Sequence, residues 1–406
     1  MSGSDLLRRG NAGVLFRDPT MDFLACWLLG CSQQGGPSPG ELLHTFGRIR
    51  DGRPRSWVDA FDRAADAATT RAGAASDPAA RAEAWLAASM AHGAALMLLD
   101  PTAASAPERR ASRSDAFGAF LRAAALPLVP WAIPFAGATL PAYVSTDLAD
   151  VCPLVVVIGG GDTSAEDLWF LGAKAFVEAG YAVLVVDLPG QGSTPAQGLH
   201  FGPATLEGLL VVLDSVRTRG FCGDIVLCGW SGGGFFTTKA VEVGRPADRI
   251  VALVASTPIH DIGLMFTKAM PRLVRRAPRG LLAAALTASA RLNPVRAASL
   301  AKYDWQFGPL GIAGVLDSYA SMTAADLSRV DVPVLSLVGE AEDAELRRQA
   351  AEVVSAGRPA SRLVTFDHAS GAGAHCQVGN LPLALGEVTR WLASVAPASG
   401  TGATRS

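Results

Sequence analysis

A single serine stands between glycines directly after an apolar run, in the stretch LCGWSGGGFF over residues 227–236. Ser231 is the centre of a G-x-S-x-G motif, a pattern that can place a serine hydroxyl at the tip of a sharp turn between a strand and a helix. The chain holds 43 glycines, so such a short motif also arises by chance. The flanking chemistry must decide whether Ser231 is a nucleophile or part of an ordinary glycine-rich loop.

Partners for a nucleophilic serine follow later in the chain. A serine hydroxyl attacks well only when an imidazole accepts its proton and a carboxylate holds that imidazole in the useful tautomer. An acidic cluster over residues 339–343 follows the apolar run VPVLSLV, and His375 lies in the glycine-rich stretch DHASGAGAHCQVGN. The order Ser, acid, His is the chain order of an alpha/beta-hydrolase triad. We predict that Ser231 is the nucleophile and His375 the base.

Three carboxylates crowd the acidic cluster: Glu340, Glu342 and Asp343. Counting from Gly339, the usual G-x-x-D spacing puts the triad acid at position 342, so Glu342 is the predicted acid. Asp343 is the commoner residue type in such triads, although its shorter side chain would require the loop to approach His375 more closely. Asp343 and Glu340 therefore stay open as alternatives.

A triad also needs N–H donors for the negative charge that develops on the attacked carbonyl oxygen. Gly232 follows the serine directly, and GGGD at residues 159–162 follows the apolar run CPLVVVI. Glycine backbone can approach a ligand closely because it has no Cβ. We predict that the amide of Gly232 and one from Gly160 or Gly161 form an oxyanion hole. The same stretch is a poor dinucleotide fingerprint, because Ser164 stands where G-x-G-x-x-G needs glycine.

Two other positions carry titratable groups that could join the reaction. His260 and Asp261, in STPIHDIG after the next apolar run, are candidates for an auxiliary acid. The competing interpretation is an Asp that caps a helix N-terminus, or a surface pair. His368 lies near His375 in the sequence and is the one rival base.

The elements that must position these residues alternate between strand and helix. Apolar runs of strand length are separated by helical stretches from about residue 153 onward, which predicts a doubly wound, mostly parallel sheet covered on both faces. Ligands bind at the carboxyl ends of such strands, where all of the candidate residues stand. The predicted fold class is α/β, an alpha/beta-hydrolase fold with a helical N-terminal cap. The stretch 126–144 holds four prolines and is predicted to be extended chain, since prolines break a membrane-spanning helix.

The pattern divides the chain into five predicted regions. They are a helical cap region at 1–125, the first part of the hydrolase core at 126–262, a helical lid insertion at 263–328, the second part of the core at 329–395 and a disordered tail at 396–406.

The composition of the chain limits the classes of partner that it is expected to bind. Lys and Arg number 35 against 37 Asp and Glu, for a net charge of -2, and no dense basic stripe is present, so nucleic acid is not an expected partner. The cysteines form no C-x-x-C motif, and we expect no metal. The N-terminal residues lack the apolar segment and cleavage site of a secretory signal, and we expect a cytoplasmic protein without membrane association.

Several longer segments resemble one group of known proteins. The segments are VVVIGGGDTSAEDLWFLGAKAFVEAGYAVLVVDLPGQGST, GWSGGG, VGEAEDAELRRQA, GAGAHCQVGN and IPFAGATLPAY. They resemble the alpha/beta hydrolases of the group that contains the fermentation-respiration-switch esterase, 2,6-dihydroxypseudooxynicotine hydrolase and the fungal yellowish-green polyketide-shortening hydrolases. The most specific segment is A-H-C-Q-x-x-N-L, from Ala374 to Leu381. Two departures are Gly161, where the family often has a bulky residue, and Gly233-Gly234, which extends the turn.

The resemblance implies a serine hydrolase without a cofactor, often a homodimer, whose N-terminal helices cover the active site. Carried over by motif position, it makes Ser231 the nucleophile, His375 the base and Glu342 the acid. We expect a medium-sized, largely apolar small-molecule substrate, polyketide-like or aryl, cleaved at an ester, thioester or ketone C–C bond. Apolar residues of the lid segment suggest this: Met265, Phe266, Trp305 and Phe307. The alternatives are a peptidase of the prolyl-oligopeptidase type and a non-catalytic binding protein on a hydrolase fold.

Overall fold

An eight-stranded sheet forms the centre of the protein. The computed structural model describes residues 13–146, 148, 153–269 and 278–398. The strands lie in the order β1-β2-β4-β3-β5-β6-β7-β8, and all pairs from β4 to β8 are parallel. The strands are β1 Leu128–Phe135, β2 Ala138–Ser145, β3 Leu154–Ile158, β4 Ala182–Val186, β5 Ile225–Trp230, β6 Ile250–Ser256, β7 Val334–Gly339 and β8 Arg362–Phe366. This is the predicted alpha/beta-hydrolase sheet.

The described residues form fourteen α-helices around the sheet. Before the sheet come α1 Pro19–Ser32, α2 Pro39–Phe46, α3 Pro54–Ala74, α4 Pro78–Leu98 and α5 Ala106–Ala123. Between strands lie α6 Ala173–Glu178, α7 Pro203–Thr218 and α8 Gly233–Val243, then α9 Ile262–Ala269, α10 Arg279–Leu292, α11 Pro294–Gln306 and α12 Gly311–Ser321, then α13 Ala344–Ala356 and, after β8, α14 Leu381–Val395. None of the helices in the described ranges is long and apolar enough to cross a membrane.

The proline-rich stretch forms the antiparallel hairpin of β1 and β2, which confirms that it is extended. Its two turn residues, Ala136 and Gly137, have φ angles of 48° and 78°, the left-handed conformation that a tight hairpin turn requires. Pro130 and Pro134 lie in β1, which pairs with β2 alone at the edge of the sheet. Proline is tolerated there because an edge strand leaves part of its N–H groups without a strand partner.

The parallel strands are buried on both faces, as their unbroken apolar runs predict. Val155 and Val157 of β3 belong to a core shared with the N-terminal helices and α14. Their neighbours Val156 and Ile158 belong to a second core shared with α7 and α8. The N-terminal helices are therefore packed directly on one face of the sheet.

The stretch between β3 and β4 is not one continuous helix. Residues 165–180, AEDLWFLGAKAFVEAG, have a helix-like pattern, but the structure has a 3-10 turn at Asp167–Trp169 and a separate α6. The break falls at Gly172, whose φ of 154° is hard for other residues to adopt. The 3-10 turn carries buried Asp167, which forms an ion pair of 2.7 Å with Arg113 of α5. This contact with the N-terminal helices could not be read from helical periodicity.

Two predictions fall partly beyond the described ranges. The predicted disordered tail lies outside the described residues from position 399 onward. The side chain of Phe266 also lies outside them. The residues of the predicted lid insertion that are described form mainly helices, from α9 to α12.

Candidate active site

Ser231 occupies a sharp turn between β5 and α8. Its φ angle of 53° is left-handed, which costs a non-glycine residue roughly 1–2 kcal/mol. Glycines on both sides make the turn feasible: a Cβ at Gly229 would come within 2.4 Å of Thr237 Oγ1, and one at Gly233 within 2.4 Å of the Ile158 carbonyl oxygen. The strained turn exposes the serine side chain at the carboxyl end of the sheet, in the geometry of a nucleophile elbow.

The structure brings Ser231, His375 and Glu342 into one hydrogen-bonded line. His375 Nε2 lies 2.9 Å from Ser231 Oγ. On the other side of the ring, Nδ1 lies 2.8 Å from Glu342 Oε1 and 3.1 Å from Oε2. Glu342 is only 6% exposed, and Thr257 Oγ1 donates a hydrogen bond of 2.6 Å to its Oε1. This arrangement can move a proton from the serine to the imidazole and stabilise the resulting cation.

The alternative acids and the alternative base lie elsewhere. Asp343 accepts a hydrogen bond from the Glu345 N–H at 2.8 Å and so caps the first turn of α13. Glu340 accepts one from the backbone N–H of His368, whose side chain is exposed. These contacts favour Glu342 as the acid and His375 as the base.

The environment of His375 favours its protonated form. Burial disfavours the charged ring, but Cys376 and the Glu342 carboxylate outweigh this penalty and raise the pKa of His375 well above its ordinary value. The neutral form of His375 is the one that could accept a proton from Ser231 Oγ.

This electrostatic balance predicts the pH dependence of the reaction. Because only neutral His375 can accept the serine proton, kcat/KM should fall as the pH drops through the raised pKa, so the acidic limb should lie well above the ordinary histidine value of about 6.5. A kcat/KM profile from pH 5 to 10 measures this limb. A limb centred near 6, or a rate independent of pH, would contradict the assigned base.

The loop after β3 lies against the serine. A Cβ at Gly160 would come within 2.7 Å of Ser231 Cβ and 3.2 Å of the Gly232 nitrogen, so any side chain there would fill the space in front of the nucleophile. The Gly160 N–H donates to Thr163 Oγ1 at 3.1 Å. Of the three predicted oxyanion donors, the N–H groups of Gly161 and Gly232 are therefore the better candidates.

His260 and Asp261 are not brought to the serine. Asp261 Oδ1 accepts a hydrogen bond from the Leu264 N–H at 2.7 Å, at the start of α9. His260 Nε2 lies 2.8 Å from Glu352 Oε2 of α13. Asp261 thus makes the helix-capping contact of the competing interpretation, and neither residue of the predicted auxiliary pair lines the cavity beside Ser231.

A narrow apolar cavity of about 40 Å³ lies beside Ser231 and His375. Its apolar wall is formed by Phe23, Leu24, Trp27, Met97, Leu171 and Val378. Four of these residues belong to α1 and α4, so the N-terminal helices form part of the wall of this cavity. The ring centroid of Phe23 is 6.4 Å from that of His375.

Two further cavities are adjacent to this one, and we call the three together the cleft. Met97 and Asp162 line the cavity beside the serine and also the cavities of about 30 and 100 Å³. The far end is polar, with Arg113, Glu166 and Asp187 in its wall. The cleft therefore offers an apolar surface near the nucleophile and hydrogen-bonding groups farther away.

Sequence reasoning did not identify several residues of this site. Thr257 follows β6 and holds Glu342, while Lys302 and Gln306 of α11 contact the loop after β3. Common polar residues carry no motif that would mark them. Thr257 could have been suspected because it stands at the carboxyl end of a parallel strand.

Comparison with known proteins identifies alpha/beta hydrolases as relatives. The model of the alpha/beta hydrolase family matches residues 154–379. Hydrolase ORFZ of Pyricularia oryzae is 33% identical over 193 residues, which cover 44% of this chain and 45% of that protein. The 20-hydroxy-prefusarin hydrolase of Gibberella moniliformis is 32% identical over 192 residues, with the same coverage of 44% and 45%. The chain thus spans about half the length of these curated relatives.

Solved structures share the fold over almost the whole chain. The crystal structure of 2,6-dihydroxy-pseudo-oxynicotine hydrolase aligns with a TM-score of 0.61 and 18% identity over 90% of this chain and 95% of that one. Wild-type AbyA5 aligns with a TM-score of 0.68 and 16% identity over 93% and 95%. The family match itself covers more than half of the 406 residues. This chain belongs to the alpha/beta hydrolase family.

Proposed function

We propose that this protein is a serine hydrolase in which Ser231 is the nucleophile, His375 the base and Glu342 the acid. The observation that carries the proposal is the continuous hydrogen-bonded line from Ser231 Oγ through the His375 ring to Glu342, with contacts of 2.9 and 2.8 Å. The strained elbow and the family membership support it. No cofactor is needed for this chemistry.

The geometry suggests a two-step reaction. Ser231 Oγ attacks a substrate carbonyl carbon while His375 Nε2 takes its proton, and the N–H groups of Gly232 and Gly161 stabilise the oxyanion. When the tetrahedral intermediate collapses, His375 returns the proton to the leaving group and an acyl-enzyme remains. A water molecule, deprotonated by His375, then attacks the acyl carbon and releases the acid.

The lining of the cleft supports a medium-sized, largely apolar substrate. Phe23, Leu24 and Trp27 of α1 present apolar surface beside the nucleophile. Of the lid residues expected to line the site, Trp305 lines the cavity of about 100 Å³. Phe307 packs instead against Phe201 and Tyr319, with ring centroids 5.2 and 4.5 Å away. The names of two similar proteins, the hydrolases of 20-hydroxy-prefusarin and 2,6-dihydroxy-pseudo-oxynicotine, support a polyketide-like or aryl compound.

An ester or thioester is the favoured scissile bond, because its leaving group needs only the proton that His375 carries. Cleavage of a C–C bond next to a ketone is the second candidate and must also protonate a carbanion. His260 and Asp261 lie away from the serine, whereas Asp162 lines the same cavity. Asp162, or His375 itself, would have to assist such a step.

The other functional alternatives have less support. A peptidase of the prolyl-oligopeptidase type would normally add a β-propeller, and the sheet formed by the described residues is a single eight-stranded one. A non-catalytic binding protein would have no need for the strained serine and its complete proton path. The homodimer implied by the sequence resemblance stays a prediction.

A substrate panel tests the proposal. The purified protein should hydrolyse p-nitrophenyl esters and a matching acyl thioester, and KM should decrease from acetate to hexanoate, because each buried methylene contributes about 0.8 kcal/mol. An aryl 1,3-diketone in the same panel tests C–C cleavage. If the protein hydrolyses no member of the panel and also does not react with a fluorophosphonate probe, the proposal of a serine hydrolase is refuted.

A further inference from the structure

Two buried glutamine side chains hold the carbonyl groups of the loop after β3. Gln191 Nε2 donates to the carbonyl oxygens of Gly159 and Gly160, at 2.5 and 3.3 Å. Gln306 Nε2 donates to the carbonyl oxygen of Gly161 at 2.6 Å. The two amides therefore engage the carbonyls of all three glycines of the loop that faces Ser231. We call Gln191 and Gln306 the glutamine clamp.

The orientation of the Gln191 amide is set by a second contact. Its Oε1 accepts a hydrogen bond of 2.9 Å from the Leu188 N–H, so Nε2 is the group that faces the loop. The side chain is only 1% exposed. A buried amide with both ends engaged has little freedom to rotate, because rotation would leave polar groups unpaired.

Carbonyl orientation decides where the N–H groups of this loop point. In a trans peptide the C=O of one residue and the N–H of the next point in opposite directions. Since Gln191 holds the Gly160 carbonyl, the N–H of Gly161 is directed away from Gln191. A flipped peptide would instead turn the carbonyl oxygen of Gly160 around and remove this donor.

We propose that the glutamine clamp positions the Gly161 N–H as an oxyanion donor. Gln191 sets the direction of this N–H through the Gly160 carbonyl, and Gln306 of α11 restrains the next peptide through the Gly161 carbonyl. This inference rests on the proposed function and assigns both glutamines as positioning residues that act through the loop backbone.

The contribution of Gln306 links the oxyanion hole to the lid segment. Lys302, one turn before Gln306 on α11, forms an ion pair with Asp162, the residue of the loop that follows Gly161. Gln306 is 3% exposed, and its backbone carbonyl accepts a hydrogen bond from the Phe201 N–H at 2.9 Å. Helix α11 thus contacts the loop at two consecutive residues, Gly161 and Asp162. The Gly161 N–H is therefore held in position when α11 is packed over the cleft.

Substitution by methionine tests the clamp, since methionine has similar length but no amide. Gln191→Met should lower kcat by about 100-fold, the effect of losing one oxyanion donor, while KM changes less than about threefold, because the donor acts mainly in the transition state. Gln306→Met should act in the same direction. The matched control is Gln349→Met: Gln349 is also fully buried and bonds backbone groups, at His260 and Asp261.

A trifluoromethyl ketone provides a readout that a purely structural role would not change. The ketone adds to the serine and forms a tetrahedral oxyanion without turnover, so its affinity should fall by the same factor as kcat in both clamp variants. The affinity for the corresponding alcohol, which forms no oxyanion, and the acidic pKa of the pH profile should stay as in the parent protein.

The outcomes separate the clamp from the proposed function. The clamp is overturned if a folded Gln191→Met protein keeps the ketone affinity and the kcat of the parent. If that variant does not fold, the same result for Gln306→Met overturns the clamp. An equal loss in Gln349→Met would also overturn it, by showing a general effect of burying methionine. Failure of the proposed function is recognised independently, because the parent protein would then form no adduct with the ketone.

Discussion

Replacement of Ser231 by alanine is expected to lower kcat by roughly 10⁶-fold, the size of effect seen when the nucleophile of a serine triad is lost. The hydroxyl is the atom that forms the acyl-enzyme, and no neighbouring group can substitute for it in that step. Covalent labelling by a fluorophosphonate, read by intact mass, should disappear in the same variant. The thermal unfolding midpoint should change little, since alanine keeps the Cβ at the strained elbow.

The control for this experiment is Ser193→Ala, which removes a hydroxyl from the wall of the 100 Å³ cavity. That variant should label at the parent rate. Undiminished labelling of the Ser231→Ala protein would disprove the nucleophile and direct the search to another hydroxyl or thiol.

The second large effect is expected from Glu342→Gln. The amide can present its NH2 group to His375 Nδ1 and so stabilise the wrong tautomer, and it cannot stabilise the imidazolium; kcat should therefore fall by about 10⁴-fold. The change also removes a negative charge that raises the pKa of His375. The histidine pKa, measured by NMR in the Glu342→Gln protein, should accordingly be lower than in the parent.

Asp343→Asn is the matched control, because it makes the same chemical change at the neighbouring position. Asparagine also caps helices well, so the contact with the Glu345 N–H can be retained and the fold should be as stable as the parent. The kcat of this variant should stay close to the parent value. A larger loss in Asp343→Asn than in Glu342→Gln would transfer the role of triad acid to Asp343.

Local pattern alone determined much of this protein. The unbroken apolar runs require strands that are buried on both faces, and such strands form a parallel sheet with its ligand site at the carboxyl ends. The turn at Ser231 is also determined by nearby residues, because positions 229 and 233, two residues before and after the serine, must be glycine. The chain order of serine, acidic cluster and histidine then indicated a triad. This order predicts the roles of the residues but not which side chains touch one another.

Tertiary structure alone decided which side chains meet. His375 lies 144 residues from Ser231 and 33 from Glu342 in the sequence, and no local rule states which of three clustered carboxylates will reach its ring. The direction of each side chain decides which carboxylate reaches His375. Glu342 points inward to Thr257, whereas Asp343, one residue later, caps α13. Distance along the chain likewise hides Gln191 and Gln306, since a glutamine becomes a backbone clamp only when folding brings its amide against carbonyls 31 and 145 residues away.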